Sequence, residues 1–416
     1  MSDEIPEPDL RLLRLPPRDA GRSAATTKPR KLAWGNRIAR VLLALIAALG
    51  LFLSMTPWGR ADVRGVMLLP GLVAARQLGP IVASGEPIRH ISLTVPSQGG
   101  TVDLDVWEPT TAPPPIPGAR EGVLIIPGVG DNRTTAQLIN LTESLARAGL
   151  VAMTMTTPAL IAYRLSPVDS DAVVQSLLKL RHWPGVGATR IGILGFSAGD
   201  SLASLAAADP RIRQQLAFLT FFGGFYNARD LLGDVGRRAQ LVNGQPQAWT
   251  PDPVTLGVLA NTIAGTLLTR EGAGLSAAFD FHHPKPLTPQ QVAQLSPPAA
   301  AAYHLLAGDQ RDQVESNLDA LSPAMQQLLH QLSPSSVVSQ ISVPIYLLHD
   351  RSDSFVPFTE SRDFDAALTR LHHTHSFVEF SIFHHTEVRT SLDLHSLLTD
   401  GPRLFGVIYS TALPST

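Results

Sequence analysis

The sequence predicts an α/β fold: a mostly parallel central sheet covered by helices on both faces. Three observations carry that expectation. Short apolar runs recur along the chain, among them Gly122-Val123-Leu124-Ile125-Ile126, Val151-Ala152-Met153-Thr154-Met155 and Leu216 to Phe222. Helical patterns lie between these runs, as between 134 and 148 and between 169 and 183. Buried parallel strands read as continuous apolar runs, and alternation with helices is what a parallel sheet requires. The third observation is the stretch Arg190 to Asp200, where an apolar strand passes through Gly195-Phe196-Ser197-Ala198-Gly199 into Ser201 to Ala208, a good helix former. Strand, sharp turn and helix give Gly-x-Ser-x-Gly its meaning, because the turn lifts the central side chain above the sheet edge. Ser197 is therefore the candidate nucleophile.

The elements follow in order. Residues 1–33 are rich in Pro, Arg and small polar residues without a period, and read as a disordered basic tail. Residues 34–60 form the expected transmembrane anchor. Its uncharged run from Val41 to Trp58 reaches about 18 residues, near the minimum for spanning a bilayer. Trp34 and Trp58 flank it like interfacial anchors. The excess of Lys and Arg before the run over Arg60, Arg64 and Arg76 after it places the tail in the cytoplasm and the domain outside. Residues 61–87 form a linker or interfacial segment. Its apolar patch at 66–74 contains Pro70 and Gly71, and is expected to lie on the membrane surface or pack against the domain. If it spans, the topology reverses.

The globular core begins at 88. His90 to Pro96 and Val102 to Trp107 alternate around Gly99-Gly100, a hairpin pattern. The first part of the core, 88–225, carries the strands and helices named above. From 226 to 335 no strand is expected. About 110 residues without one, within a regular alternation, read as an inserted helical cap rather than a loop. The rhythm resumes over 336–416, with a strand at Val343 to Leu348, a helix at Thr359 to Leu371, a strand at Phe377 to Phe383 and a last helix from about Arg389.

Composition bounds the function. The chain has 416 residues, 44% of them hydrophobic, and a net charge of −2, which suits a globular core and points away from nucleic acid. The absence of cysteine excludes disulfides, thiolate metal sites and a cysteine nucleophile. No motif implies a cofactor or a metal.

The strand at 343–348 runs into His349-Asp350-Arg351-Ser352-Asp353-Ser354-Phe355-Val356-Pro357, and the next strand into Phe383-His384-His385-Thr386. Serine, acid and histidine thus each follow the carboxyl end of a strand, the edge where open α/β sheets collect their chemistry. In this order and context the chain resembles the α/β-hydrolase superfamily over roughly residues 88–413, the insertion apart. The run at 349–357 is similar to that family's His-Gly-x-x-Asp-x-x-Val-Pro pattern, with Asp350 in place of Gly. The resemblance implies Asp353 as the acid, with Asp350 as its alternate, and a base in the loop after the last strand. His385, one residue further out than its alternate His384, is the expected base. The resemblance also implies two backbone donors for an oxyanion, at Ala198 and in the loop Pro127-Gly128-Val129, where Val129 is the expected one.

The residue types fit the chemistry. A serine hydroxyl needs a base to take its proton, an imidazole titrates near neutral pH, and a carboxylate holds the correct tautomer and stabilises the imidazolium. The implied function is a membrane-anchored serine hydrolase of carboxylic esters acting on a small ester or acyl substrate. Peptidase, lactonase and acyltransferase chemistry use the same triad, and a silent anchored domain binding an apolar ligand or a protein is the alternative from another class. His372-His373-x-His375 reads as a solvated turn rather than a metal site. His282-His283 has a surface role or lines an entrance. Asn132-Arg133 either starts a helix or holds a substrate carboxylate.

Overall fold

The computed structural model describes residues 45, 49, 56, 68, 85–113, 118–381, 383–385, 387–388 and 394–412. The chain divides into two compact units, Met1–Ser54 and Met55–Thr416. Of the first, only Leu45 and Leu49 are described, both helical and exposed. Apart from these two and Thr56, the expected anchor at 41–58 lies outside the described residues. Among the described residues, no helix is long and apolar enough to cross a membrane.

The second unit is built on eight strands. They are β1 (Ile88–Ser97), β2 (Gly100–Pro109), β3 (Arg120–Ile126), β4 (Val151–Thr156), β5 (Val186–Phe196), β6 (Leu216–Phe222), β9 (Ile345–Asp350) and β10 (His375–Phe380). Their spatial order is β1-β2-β4-β3-β5-β6-β9-β10. β2 runs antiparallel to both its neighbours, and every pairing from β4 to β10 is parallel. The helices of this frame are α1 (Ala136–Arg147), α2 (Pro158–Ile161), α3 (Asp169–Arg181) and α4 (Ala198–Ala207) before the insertion, with α12 (Thr359–Arg370) and α13 (Leu394–Ala412) after it.

Side-chain alternation explains why the strands are apolar throughout. Along β3, Leu124 and Ile126 join one buried cluster with Val173 and Leu177 of α3 and Leu202 of α4. Val123 and Ile125 point the other way, into a second cluster with Leu141 and Leu145 of α1 and Leu404, Val407 and Ile408 of α13. A strand with helices on both faces buries both of its side-chain rows. Leu68, the described residue of the 66–74 patch, is buried and belongs to the second cluster, as do Phe380 and Leu404.

The insertion between β6 and β9 holds α5 (Ala228–Arg237), α6 (Pro253–Ala264), α7 (Thr269–Ala278), α8 (Pro289–Val292), α9 (Pro297–Ala307), α10 (Val314–Asp319) and α11 (Pro323–Leu332). It is not all helical. β7 (Ala239–Val242) and β8 (Gln245–Ala248) form a hairpin around Asn243-Gly244, whose φ values are 53° and 75°. Asn-Gly with both residues left-handed is the strongest short hairpin signal, and it corrects the expectation of a strand-free segment. The last expected strand is also shorter. β10 stops at Phe380, and Phe383–His384 (β11) pairs instead with Glu387–Val388 (β12). The final described helix runs on through Pro402 to Ala412.

The insertion meets the core through acids. Glu360 of α12 is buried and accepts the Tyr226 and Asn227 amides at 2.8 and 2.9 Å. Burial raises its pKa well above the usual range, with Asp234 and Asp230 of α5 adding to the rise. Burial likewise pushes Asp234 up to about 7, against Arg237. Asp230 and Asp363 are raised too, again mainly by burial, with Arg229 and Arg370 opposing. A folded pKa above the unfolded value means stability that is full below the unfolded pKa and is lost as pH rises through the folded one. The Tm is therefore expected to fall by several degrees between about pH 5 and about pH 8, and Asp234→Asn to flatten that slope. A calorimetric pH series on both proteins checks it.

Candidate active site

The site is assembled where β3, β5, β6, β9 and β10 end. Ser197 caps β5 with φ 53° and ψ −122°, a strained conformation, and α4 starts at the next residue. A Cβ at Gly199 would collide with the Ile126 carbonyl, so the helix closes onto β3 only because that residue is glycine. Ser197 N–H donates to the Phe222 carbonyl at 2.8 Å, which ties the elbow to the end of β6.

The next residue of that strand end, Gly223, faces the other two groups. With φ +69°, its missing Cβ would stand 3.2 Å from His385 Nδ1 and 3.3 Å from Asp353 Oδ2. His385 occupies the turn between β11 and β12 with φ 58°. Its Nδ1–H donates to Asp353 Oδ2 at 2.6 Å, which leaves Nε2 as the basic nitrogen. The imidazole lies flat on Phe355, centroids 4.5 Å apart. The structure thus brings His385 to Asp353 from the turn of a hairpin, not directly from the end of the long strand.

Asp353 is fully used. Its Oδ1 accepts the Phe355 and Val356 amides at 2.7 and 3.0 Å, and its Oδ2 faces His385 and, at 3.3 Å, His349 Nε2. Burial opposes its charge, but His385 and His349 outweigh that and hold the carboxyl well below the usual carboxylate range. Asp350 is placed differently. It is buried at the end of β9, where its Oδ1 accepts Ser352 N–H at 2.7 Å and Ser352 Oγ–H at 2.5 Å. The two acids thus differ in the partners they show: Asp353 Oδ2 meets His385 at 2.6 Å, and Asp350 Oδ1 takes Ser352.

The loop after β3 packs against the elbow, since a Cβ at Gly128 would stand 3.2 Å from Ser197 Cβ. Asn132 Nδ2 donates to the Val129 carbonyl at 2.8 Å and to the Gly128 carbonyl at 3.4 Å. The Gly128–Val129 peptide is held by its carbonyl, so the Val129 N–H points away from Asn132. Ala198 is the first residue of α4, and first-turn amides have no acceptor within the helix. Arg133 is not free for a substrate carboxylate: its guanidinium pairs with Asp105 at 2.7 Å and with Asp131 at 3.1 Å.

Sequence reasoning missed several supporting groups. Asp200 lies buried beneath the elbow with no hydrogen-bond partner for Oδ1 among the described residues. Burial raises its pKa well above the usual value, against the Phe222 and Gly224 amides. His349 is completely buried, between Ser361 Oγ at 2.7 Å and the Val356 carbonyl at 3.1 Å. The insertion grips the acid loop from above. Trp249 Nε1–H donates to the Asp353 carbonyl, Asp252 N–H to the Ser354 carbonyl and Thr255 Oγ–H to the Phe355 carbonyl, each at 2.8 Å.

The remaining histidines have other partners. His373 bonds the Ile341 and Thr374 carbonyls, and His375 faces Asp365 at 3.1 Å, so the two rings point at separate groups. His282 and His283 are exposed, their amides on Asp280.

The strand order, the Ser197 elbow and the acid loop past β9 together form an α/β-hydrolase fold. No family model matches the chain, and no curated protein does. Solved structures do. A puromycin-hydrolyzing peptidase of Mycobacterium tuberculosis is 15% identical with a TM-score of 0.46, over 78% of this chain and 39% of that one. A Pyrococcus horikoshii acylaminoacyl peptidase is 12% identical with a TM-score of 0.44, over 80% of this chain and 43% of that one. A hyperthermophilic esterase from Pyrobaculum calidifontis is 14% identical with a TM-score of 0.43, over 86% of this chain and 93% of that one. This chain therefore spans less than half the length of either peptidase. Likeness at these scores carries no argument about reaction or substrate, which have to come from the site itself.

Proposed function

We propose that the chain is a serine hydrolase of carboxylic esters, working through Ser197, His385 and Asp353. The observation that carries this reading is the 2.6 Å bond from His385 Nδ1 to a carboxylate kept charged in a buried loop. With Nδ1 committed to Asp353, His385 Nε2 takes the Ser197 Oγ proton as that oxygen attacks the ester carbonyl carbon. The Val129 and Ala198 amides receive the oxyanion. The imidazolium then returns its proton to the departing alkoxide, and water, deprotonated by the same nitrogen, releases the acid. The Leu- and Ala-rich insertion, whose Phe281 packs on Tyr163, would offer its apolar side chains to the substrate, which favours an apolar acyl group. The apolar run at 41–58 supports anchorage in a membrane, and the excess of Lys and Arg before it supports a domain outside.

The test is a fluorophosphonate probe on the purified chain, with the adduct mapped by mass spectrometry. One adduct at Ser197, together with turnover of p-nitrophenyl esters, is the expected result. No adduct and no turnover would favour the silent binding domain.

A further inference from the structure

Tyr163 breaks a local rule. α2 ends in a Schellman turn, in which Tyr163 N–H bonds the Leu160 carbonyl at 2.9 Å and Arg164 N–H the Ala159 carbonyl at 3.0 Å. Tyr163 itself is left-handed, with φ 51°. Glycine usually fills this position, because a Cβ there crowds the backbone. A bulky side chain held in this region is a backbone outlier, and such strain persists only where the surroundings over-determine it.

The surroundings are the oxyanion loop on one side and the insertion on the other. Gly130 N–H bonds the Leu160 carbonyl at 2.8 Å, which docks the loop onto the same turn. The Tyr163 hydroxyl lies over Gly130, where a Cβ would come within 3.0 Å of it. Two residues back along that loop, a Cβ at Gly128 would stand 3.6 Å from Ser197 Oγ. The segment 128–130 thus has the nucleophile at one end and the phenol at the other. The Tyr163 ring packs on Phe281 of the insertion, centroids 4.7 Å apart. Leu165 N–H bonds Thr262 Oγ at 3.0 Å, and Asn261 Nδ2 the Tyr163 carbonyl at 3.4 Å. Among the described residues, the hydroxyl itself has no hydrogen-bond partner.

We propose that Tyr163 is a specificity-determining residue of the site. Its hydroxyl hydrogen-bonds an ester substrate beside the oxyanion loop, and its ring forms with Phe281 the aromatic wall against the substrate's apolar group. Glycine at 163 would satisfy the turn and supply neither. The inference rests on the serine-hydrolase reading above.

The test uses the full chain with Tyr163→Phe and Tyr163→Gly, a p-nitrophenyl ester series from acetate to octanoate, Tm and fluorophosphonate labelling. The phenylalanine variant is expected to keep its Tm and its labelling and to lose about tenfold in kcat/KM, mainly through KM. The glycine variant is expected to lose the preference among chain lengths by about tenfold. A purely structural tyrosine gives the opposite pattern, with wild-type KM in the phenylalanine variant and an unchanged chain-length preference in whatever glycine variant stays folded. Wild-type KM throughout, or an unchanged chain-length preference in the glycine variant, overturns the inference and leaves the hydrolase reading standing. A wild-type chain inert to both ester and probe overturns both.

Discussion

Replacing Ser197 with alanine is expected to lower ester turnover by about five orders of magnitude and to remove covalent labelling altogether. The size of the effect follows from the mechanism. Without Oγ there is no acyl-enzyme, and what remains is the contribution of the oxyanion amides and of substrate binding. The substitution should leave the fold intact. Alanine keeps the Cβ and adopts the same φ of 53° at the same strain. The amide that ties the elbow to the Phe222 carbonyl belongs to the backbone and survives. An unchanged Tm with lost turnover and lost label is therefore the expected combination. Labelling that persists at another serine would move the nucleophile elsewhere.

Much of this site was legible in the sequence because local chemistry announces it. Gly195-Phe196-Ser197-Ala198-Gly199 lies between an apolar run and a helix former, and the structure places Ser197 at a strained turn between β5 and α4. For the two acids the fold adds contacts that a sequence does not carry: Asp350 and Asp353 are three residues apart in one loop, where Asp350 Oδ1 accepts from Ser352 and Asp353 Oδ2 meets His385. The β7–β8 hairpin was legible at Asn243-Gly244, yet the Leu- and Ala-rich flanks read as helix. Other groups were illegible for a physical reason. Asp200, Trp249 and Tyr163 act through contacts with residues distant in the chain, and burial of a polar side chain leaves no periodic trace. Tyr163 is the sharpest case: its sequence context gives no sign of a left-handed residue, because the usual glycine is absent.

His385→Ala is expected to lower turnover by about four to five orders of magnitude, and His384→Ala by less than about tenfold. The difference comes from the turn. His384 belongs to the two-residue strand paired with Glu387, whereas His385 occupies the turn that follows, where φ 58° directs its ring onto Phe355 and Asp353. Removing the imidazole has a second consequence. Asp353 Oδ2 keeps only His349 at 3.3 Å, in a loop where the carboxylate is wholly buried. A buried charge that loses a partner destabilises, here by about 2 kcal/mol, so the His385 variant should also unfold at a lower temperature. Its carboxyl loses part of what holds its pKa down, so the stability it contributes above the usual carboxylate pKa shrinks. Exogenous imidazole, entering the vacated space, should restore a measurable fraction of turnover in His385→Ala and none in Ser197→Ala. Kinetics on the three variants, with and without imidazole, check the assignment. Large loss in His384→Ala with little in His385→Ala would transfer the role of base and leave Ser197 and Asp353 in place.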